Sequence, residues 1–196
     1  MLIVVLILIF DQFLKIWIKT HMHLGEEISI FDDWFYIHFT ENEGMAFGYS
    51  FGGEFGKLFL SIFRIFAVLG IGGYIYYQVR SKAKNGYIIS LSLIMAGAIG
   101  NIIDSALYGM IFNASSYHSE GVAKMFPEEG GYASFLHGKV VDMFFFPLYS
   151  GNYPDWLPFI GGNHFLFFSP VFNIADAAIT TGVLMILFFQ KRYFVK

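Results

Sequence analysis

Cysteine is absent from the 196-residue sequence, and its absence excludes several kinds of chemistry. The chain can form no disulfide, no thiolate zinc site and no lipid attachment through a thiol of its own, and it has no Cys nucleophile. Charge is also scarce, since 14% of the residues are Asp, Glu, Lys or Arg, against roughly 25% in soluble domains. The net charge of −3 leaves no basic field for nucleic acid.

Apolar residues are in excess, because 56% of the chain is hydrophobic and 20% is aromatic. This composition excludes disorder and an ordinary water-soluble domain, and the length suits one domain. A helix needs about 20 apolar residues to cross a bilayer. We therefore predict an all-α polytopic membrane protein, a single integral membrane domain over residues 1–196. Its four predicted transmembrane helices are residues 2–19, 58–79, 87–104 and 171–189.

Basic residues are distributed unevenly between the two predicted sides of the membrane. The RSKAKN connector and the C-terminal tail hold six of the 12 Lys and Arg, whereas residues 21–56 hold none. The positive-inside rule therefore places the connector and both termini in the cytoplasm. On the outer side, alternation around WFYIHF predicts a small β-rich element in residues 20–57. Residues 105–170, which are rich in turn chemistry, are predicted to form a long inserted outer loop.

Polar residues inside the predicted spans are candidates for function, because ionisable groups are costly there. Asp11 and Lys15 lie four residues apart, so they share a helix face and can pair. Two interpretations are open: a structural ion pair that holds the first span to its neighbours, or a contact near the substrate. Asn101 and Asp104 share a face at the outer end of the third span, where they are either packing residues or part of a site.

Two further carboxylates lie where the chain is otherwise apolar. Asn173 and Asp176 repeat the three-residue spacing in the fourth span, and Asp176 is either a hydrogen-bonded contact between helices or a reactive group. Asp142 lies in an apolar run closed by Pro147 that is predicted to dip into the outer interface, the alternative being a strand with Asp142 facing water. Two carboxyls in a dry pocket share one proton and suit hydrolysis of an amide by water. Which of the two keeps the proton is open.

Five short motifs occur in order: DQFLK at 11–15, FTENEGMAFG at 39–48, GAIGNIID at 97–104, GKVVD at 138–142 and FNIAD at 172–176. Together they resemble the lipoprotein signal peptidases (signal peptidase II), which are bacterial membrane aspartyl endopeptidases. The resemblance implies cleavage before the lipidated cysteine of diacylglyceryl-modified prolipoproteins, with Asp142 and Asp176 as the catalytic pair. The residues it implies in the substrate site are Asp11, Lys15, Asn42, Gly44, Asn101, Asp104 and Asn173.

The resemblance also implies partners and a location. We expect a monomer in the bacterial inner membrane, with its active site near the outer face and with no metal or organic cofactor. Its expected partners are lipidated prolipoproteins, membrane phospholipids and the cyclic peptide inhibitor globomycin. The sequence departs from the family in having Ser105 where an Arg is common, so that Arg64 or Lys139 could supply the basic contact. It also carries insertions around residues 105–137 and 147–168.

Two other functions are compatible with the composition alone. A small proton-coupled carrier would use Asp11, Asp104 and Asp176 as a relay. The clustering of the carboxylates toward the outer face, rather than along a path, argues against that carrier. A lipid-binding membrane protein without catalytic activity is the third possibility.

Overall fold

The computed structural model describes residues 2–32, 34–43, 53–117 and 121–194. Its helices are α1 (Leu2–His21), α2 (Gly53–Arg80), α3 (Asn85–Ile103), α4 (Gly109–Ile111), α5 (Ile174–Phe188) and α6 (Gln190–Phe194), with a π-helical turn (Asp104–Tyr108) joining α3 to α4. Its strands are β1 (Glu27–Phe31), β2 (Phe35–Asn42), β3 (Val140–Phe145), β4 (Tyr149–Asn152), β5 (His164–Phe167) and β6 (Val171–Phe172).

The expectation of an all-α protein with four transmembrane helices is wrong. The described residues form a four-stranded antiparallel sheet and a separate two-stranded sheet. Within the described ranges, the helices long and apolar enough to cross a membrane are two, Phe55–Arg80 and Asn85–Ile111.

The other two predicted spans fail for different reasons. Helix α1 has 20 residues but carries Asp11, Lys15 and Lys19, and all three are buried against protein. Helix α5 has only 15 residues, because Val171–Phe172 form a strand and Asn173 caps the helix that follows. Hydropathy could not separate these apolar strand residues from the apolar helix next to them.

The larger sheet has the strand order β1–β2–β3–β6. Strands β1 and β2 form a hairpin inside the segment 20–57, for which a β-rich element was predicted. Strand β3 lies between β2 and β6, with Thr40 opposite Asp142 and Phe144 opposite Phe172. The sheet therefore brings the middle of β3 beside the end of β2 and the start of α5.

Helices α3 and α5 pack closely because α3 presents glycine to its neighbours. A Cβ on Gly97 would lie 2.1 Å from the carbonyl oxygen of Ala175. A Cβ on Gly100 would lie 2.8 Å from a carboxylate oxygen of Asp11. The absence of both side chains lets α1, α3 and α5 meet at the level of the sheet.

Two clusters of buried apolar side chains lie at opposite ends of the helices. One joins the end of α1 to the sheet through Ile18, Phe39 and Met143. The other joins Val4 near the N-terminus to Tyr87 near the start of α3. The N-terminal end of α1 and the basic connector before α3 are therefore at the same end of the helices.

Candidate active site

Asp142 occupies the middle of strand β3 and is 4% exposed. The residue is in a strand, as one alternative held, but its carboxyl is buried rather than turned to water. The Nδ2 of Asn173 donates to its Oδ1 at 2.7 Å, and the Nδ2 of Asn42 donates to its Oδ2. Burial and, secondarily, the charge of Asp176 raise the pKa of Asp142 to about 7. The group is therefore partly protonated at neutral pH.

Asp176 lies in the first turn of α5 and is held by a reciprocal cap. Its backbone N–H donates to Oδ1 of Asn173 at 2.9 Å, and the backbone N–H of Asn173 donates to its Oδ2 at 3.4 Å. The Nδ2 of Asn101 donates to its Oδ1 at 2.8 Å. Asp176 is only half-buried, so it is the more accessible residue of the pair.

Asn173 connects the two carboxyl-bearing elements. Besides its bond to Asp142, its Nδ2 donates to Oδ1 of Asn101 at 3.1 Å and to the carbonyl oxygen of Val141 at 3.2 Å. The side chain is fully buried. One asparagine therefore fixes the start of α5 against β3 and orients the two carboxyls relative to each other.

A buried ion-pair network lies next to this pair. The Nζ of Lys15 is 3.0 Å from Oδ2 of Asp11, 2.9 Å from Oδ2 of Asp104 and 2.9 Å from Oδ1 of Asn101. Asp11 accepts from the backbone N–H of Ala175 at 2.9 Å, and Asp104 accepts from that of Val141 at 3.2 Å. These contacts go to residues beside Asp142 and Asp176, which fits the structural interpretation of Asp11 and Lys15.

Gln12 also belongs to this network, although it was not among the site residues that the sequence predicted. Its Nε2 donates to Oδ1 of Asp104 at 2.9 Å, and the hydroxyl of Tyr108 donates to its Oε1 at 3.1 Å. Its position inside the DQFLK motif was the available signal.

A second buried lysine, Lys19, was given no site role from the sequence. It is fully buried, pairs with Glu41 and donates to Oγ of Ser115 at 2.7 Å. Its Nζ also lies 5.4 Å and 5.1 Å from the ring centres of Phe112 and Tyr132. Lys19 therefore links Ser115, in the first insertion, to Glu41, which directly precedes Asn42 in β2.

The two cations that could replace the usual Arg lie in different places. Lys139 directly precedes β3, and its backbone N–H donates to the hydroxyl of Tyr132 at 2.6 Å. Ser105 is buried and donates from Oγ to the backbone oxygen of Asn101 at 3.0 Å. The charge of Arg64, on α2, is attracted by those of Asp104, Asp142 and Asp176. Of the two candidates, Arg64 is therefore the one whose charge acts on Asp142 and Asp176. Gly44, the remaining predicted site residue, lies outside the described residues.

The geometry suits hydrolysis. One carboxyl with a raised pKa lies beside a half-buried second carboxylate, and amides hold both in place. Such a pair can supply a proton and accept one at neutral pH. In the part of the chain that the structure describes, no group of three or more His, Asp or Glu could hold a metal ion.

Comparison with known proteins gives consistent matches along the chain. Residues 3–191 match the family model described as signal peptidase (SPase) II. The chain is 50% identical over 192 residues to a lipoprotein signal peptidase of Porphyromonas gingivalis, covering 97% of this chain and 81% of that protein. It is 37% identical over 188 residues to the one from Amoebophilus asiaticus, covering 94% and 74%.

A solved structure shares the fold. A bacterial membrane enzyme determined by the in meso method at 1.9 Å resolution superposes with a TM-score of 0.62 and 26% identity, covering 96% of this chain and 90% of that one.

Proposed function

The chain belongs to the signal peptidase II family, and we propose that Asp142 and Asp176 are the two carboxyl groups with which it hydrolyses its substrate. It is a peptidase that removes the signal peptide from prolipoproteins. The aspartic mechanism is supported by one observation above the others: Asn173 contacts both carboxyl-bearing residues and holds them in one site.

In the proposed mechanism, a water molecule lies between the two carboxyls. Asp176, the more accessible group, takes a proton from that water as its oxygen attacks the scissile carbonyl carbon. Asp142, which is partly protonated at neutral pH because its pKa is about 7, donates its proton to the carbonyl oxygen as charge develops there. The proton held by Asp176 then passes to the departing amide nitrogen and the C–N bond breaks, while one hydroxyl of the intermediate returns its proton to Asp142. Both products leave with the atoms of one water added.

The substrate is proposed to be a prolipoprotein that already carries diacylglyceryl on the cysteine after the cleavage site. Asn42 and Asn101 each donate to one carboxyl, which leaves the remaining lone pairs for water and substrate. Gly44 is assigned to the same site by the resemblance alone. Asp11, Lys15 and Asp104 are proposed to support this site from behind rather than to contact the peptide.

The chain is proposed to be a monomer in the bacterial inner membrane, as one membrane domain. Lys84 donates to the backbone of Arg192, so the basic connector and the C-terminal tail lie at one end. The first residues of α1 pack at this end as well. The positive-inside rule favours the cytoplasm for this end and the outer side for the sheet and both carboxyls. Phospholipids and a globomycin-type inhibitor are then the partners expected on that side.

The test uses the full-length protein in detergent or liposomes and a diacylglyceryl-modified prolipoprotein. Asp142→Asn and Asp176→Asn replace each carboxyl by an amide of nearly the same shape. We expect the parent to cleave and both variants to lose activity by several orders of magnitude. Glu129→Gln, at an exposed loop position, is the matched control and should cleave like the parent. Full activity in either Asp variant would exclude the proposed pair.

A further inference from the structure

The second insertion forms a finger, residues 148–168, which leaves the large sheet after β3 and returns at β6. Strands β4 and β5 pair along it, from Tyr149 opposite Phe167 to Asn152 opposite His164. At the tip, the backbone N–H of Tyr153 donates to the oxygen of Asn163 at 2.9 Å, and that of Gly162 donates back to Tyr153 at 3.0 Å. The finger therefore satisfies much of its own backbone hydrogen bonding.

The surface of the finger is apolar and nearly uncharged. Asp155 is the one Asp, Glu, Lys or Arg between residues 148 and 168. The large apolar side chains that it exposes are Leu148, Tyr149, Trp156, Phe159, Ile160, Phe167 and Phe168. A patch of this kind marks an interaction surface rather than an ordinary solvated loop.

Phe159, at the tip of the finger, is unusual in both its exposure and its backbone conformation. Its side chain is fully exposed, at 101% of the reference area. Its backbone has a φ of 70°, in the left-handed region that bulky residues rarely adopt. The loop thus holds a large aromatic ring away from the protein in a backbone conformation that the ring itself does not favour. Such strain at an exposed aromatic residue is a sign of function.

We propose that this finger inserts into the interfacial region of the lipid bilayer on the side of the sheet. The finger leads directly through β6 into α5, whose exposed surface includes Val183, Leu184 and Leu187. The second half of that helix therefore exposes apolar side chains of the kind that lipid contacts, and the finger is joined to its other end. Aromatic side chains concentrate at the membrane interface, and backbone groups that enter it need internal partners. The finger has both properties, and one carboxylate is too few for a charged protein partner.

The finger also lies between Asp142 and Asp176 in the chain. Anchoring it at the interface fixes the depth of the two carboxyls relative to the membrane. If the proposed function is correct, this depth matches the lipidated cysteine of the substrate, whose acyl chains stay in the bilayer. This step rests on the proposed function, whereas the insertion of the finger does not.

The first experiment reads the position of Trp156 in the full-length protein. Trp17→Phe and Trp34→Phe leave Trp156 as the single tryptophan. The protein is reconstituted in liposomes of phosphatidylethanolamine and phosphatidylglycerol, with or without lipids brominated on the acyl chains. We expect a blue-shifted emission that brominated lipids quench and aqueous iodide does not. Quenching by iodide with no effect of brominated lipids would overturn the proposal.

A pair of variants at the tip supplies the matched control. Phe159→Asp should restore iodide quenching of Trp156, whereas Phe159→Leu should behave like the parent, because it keeps an apolar side chain. Since Phe159 is fully exposed, neither change removes a packing contact, and circular dichroism should show the parent's helix content. Equal membrane quenching in both variants would count against insertion. If Trp156 is shielded from iodide only when substrate is added, the finger covers the substrate instead of entering the membrane, and the proposal is wrong.

The second experiment separates this inference from the catalytic proposal. With prolipoprotein in liposomes, Phe159→Asp should raise KM several-fold at an unchanged kcat, whereas in detergent the two proteins should cleave alike. The bromolipid result does not depend on Asp142 or Asp176. If the Asp variants remain active but brominated lipids still quench Trp156, the catalytic proposal is wrong and the membrane anchor stands. If the Asp variants are inactive but the lipids do not quench Trp156, only the anchor is wrong.

Discussion

Asn173 donates a hydrogen bond to the carboxyl of Asp142 at 2.7 Å while its Oδ1 accepts the backbone N–H of Asp176 at 2.9 Å. One side chain thus caps helix α5 and also donates a hydrogen bond to a residue of strand β3. Its amide nitrogen and amide oxygen have separate tasks, and a substitution can remove one without the other.

Asn173→Ser should separate these two tasks. The serine oxygen keeps the cap on α5, whereas the donor to Asp142 is lost. The donors to Asn101 and to the Val141 carbonyl are lost as well, so we expect stability to fall by about 1–3 kcal/mol. We expect kcat to fall about 10- to 100-fold, since a buried hydrogen bond to a charged group contributes about 1.5–3 kcal/mol. Asn173→Ala also removes the cap and should lower stability further. A serine variant with parental kcat would show that the donor is unimportant.

We expect the raised pKa of Asp142 to set an alkaline limit to activity. If the active pair holds one proton, kcat/KM should fall as pH rises through about 7, because Asp142 then loses that proton. Asn173→Ser should move this fall to higher pH, since the bond from Asn173 lowers the pKa of Asp142. Initial rates across about pH 5 to 9 test both statements. A profile that is flat up to the alkaline end would contradict the assignment of the proton to Asp142.

The same pKa affects folding stability. The pKa of Asp142 is higher in the folded protein than its ordinary value of 3.8, so the folded state binds more protons between these two pH values. Its contribution to stability is full below about 3.8 and is lost as pH rises through about 7. Asp142→Asn should therefore unfold at a higher temperature than the parent at alkaline pH. That advantage should disappear in acid, as measured by thermal unfolding in detergent.

Lys15 should be needed for stability more than for chemistry. Lys15→Met leaves Asp11 and Asp104 buried without their cation, and breaking a buried ion pair in this way costs about 3–5 kcal/mol. Lys124→Met, at an exposed lysine, is the control and should leave the unfolding temperature unchanged. If Lys15→Met kept parental stability and lost only activity, the structural interpretation of this network would be wrong.

Gly97→Ala tests the close approach of α3 to α5. The added methyl group would meet the carbonyl oxygen of Ala175, so the helices must move apart at a cost of about 1–3 kcal/mol. Activity should also fall, because the bond from Asn101 to Asp176 crosses the same interface. Gly70→Ala in α2 has nothing within 4 Å and should be neutral or slightly stabilising.

The sequence predicted which polar residues lie together better than it predicted the architecture. The motifs named Asn101, Asp142, Asn173 and Asp176, and the structure brings these four together. Residues three apart within one motif share a helix face, so that part of the geometry can be inferred from the sequence. The resemblance supplied the rest, by joining motifs that are far apart in the chain.

The errors arose where local hydropathy is ambiguous. The apolar run Val140–Phe145 is a buried strand, which periodicity alone cannot distinguish from a short membrane-inserted segment. The contact between Lys19 and Ser115 spans 96 residues, and only the tertiary fold brings those residues together. The charged residues of α1 were visible, but whether they face lipid or protein depends on the helices packed around them.

The pairing of Phe145 with Val171 closes the base of the finger with strand hydrogen bonds. Whatever lies between those two residues starts and ends at fixed points, and the entropic cost of a longer loop grows only slowly with its length. The intervening segment is therefore an exchangeable module. A change in its length or sequence should therefore leave Asp142 and Asp176 in place relative to each other.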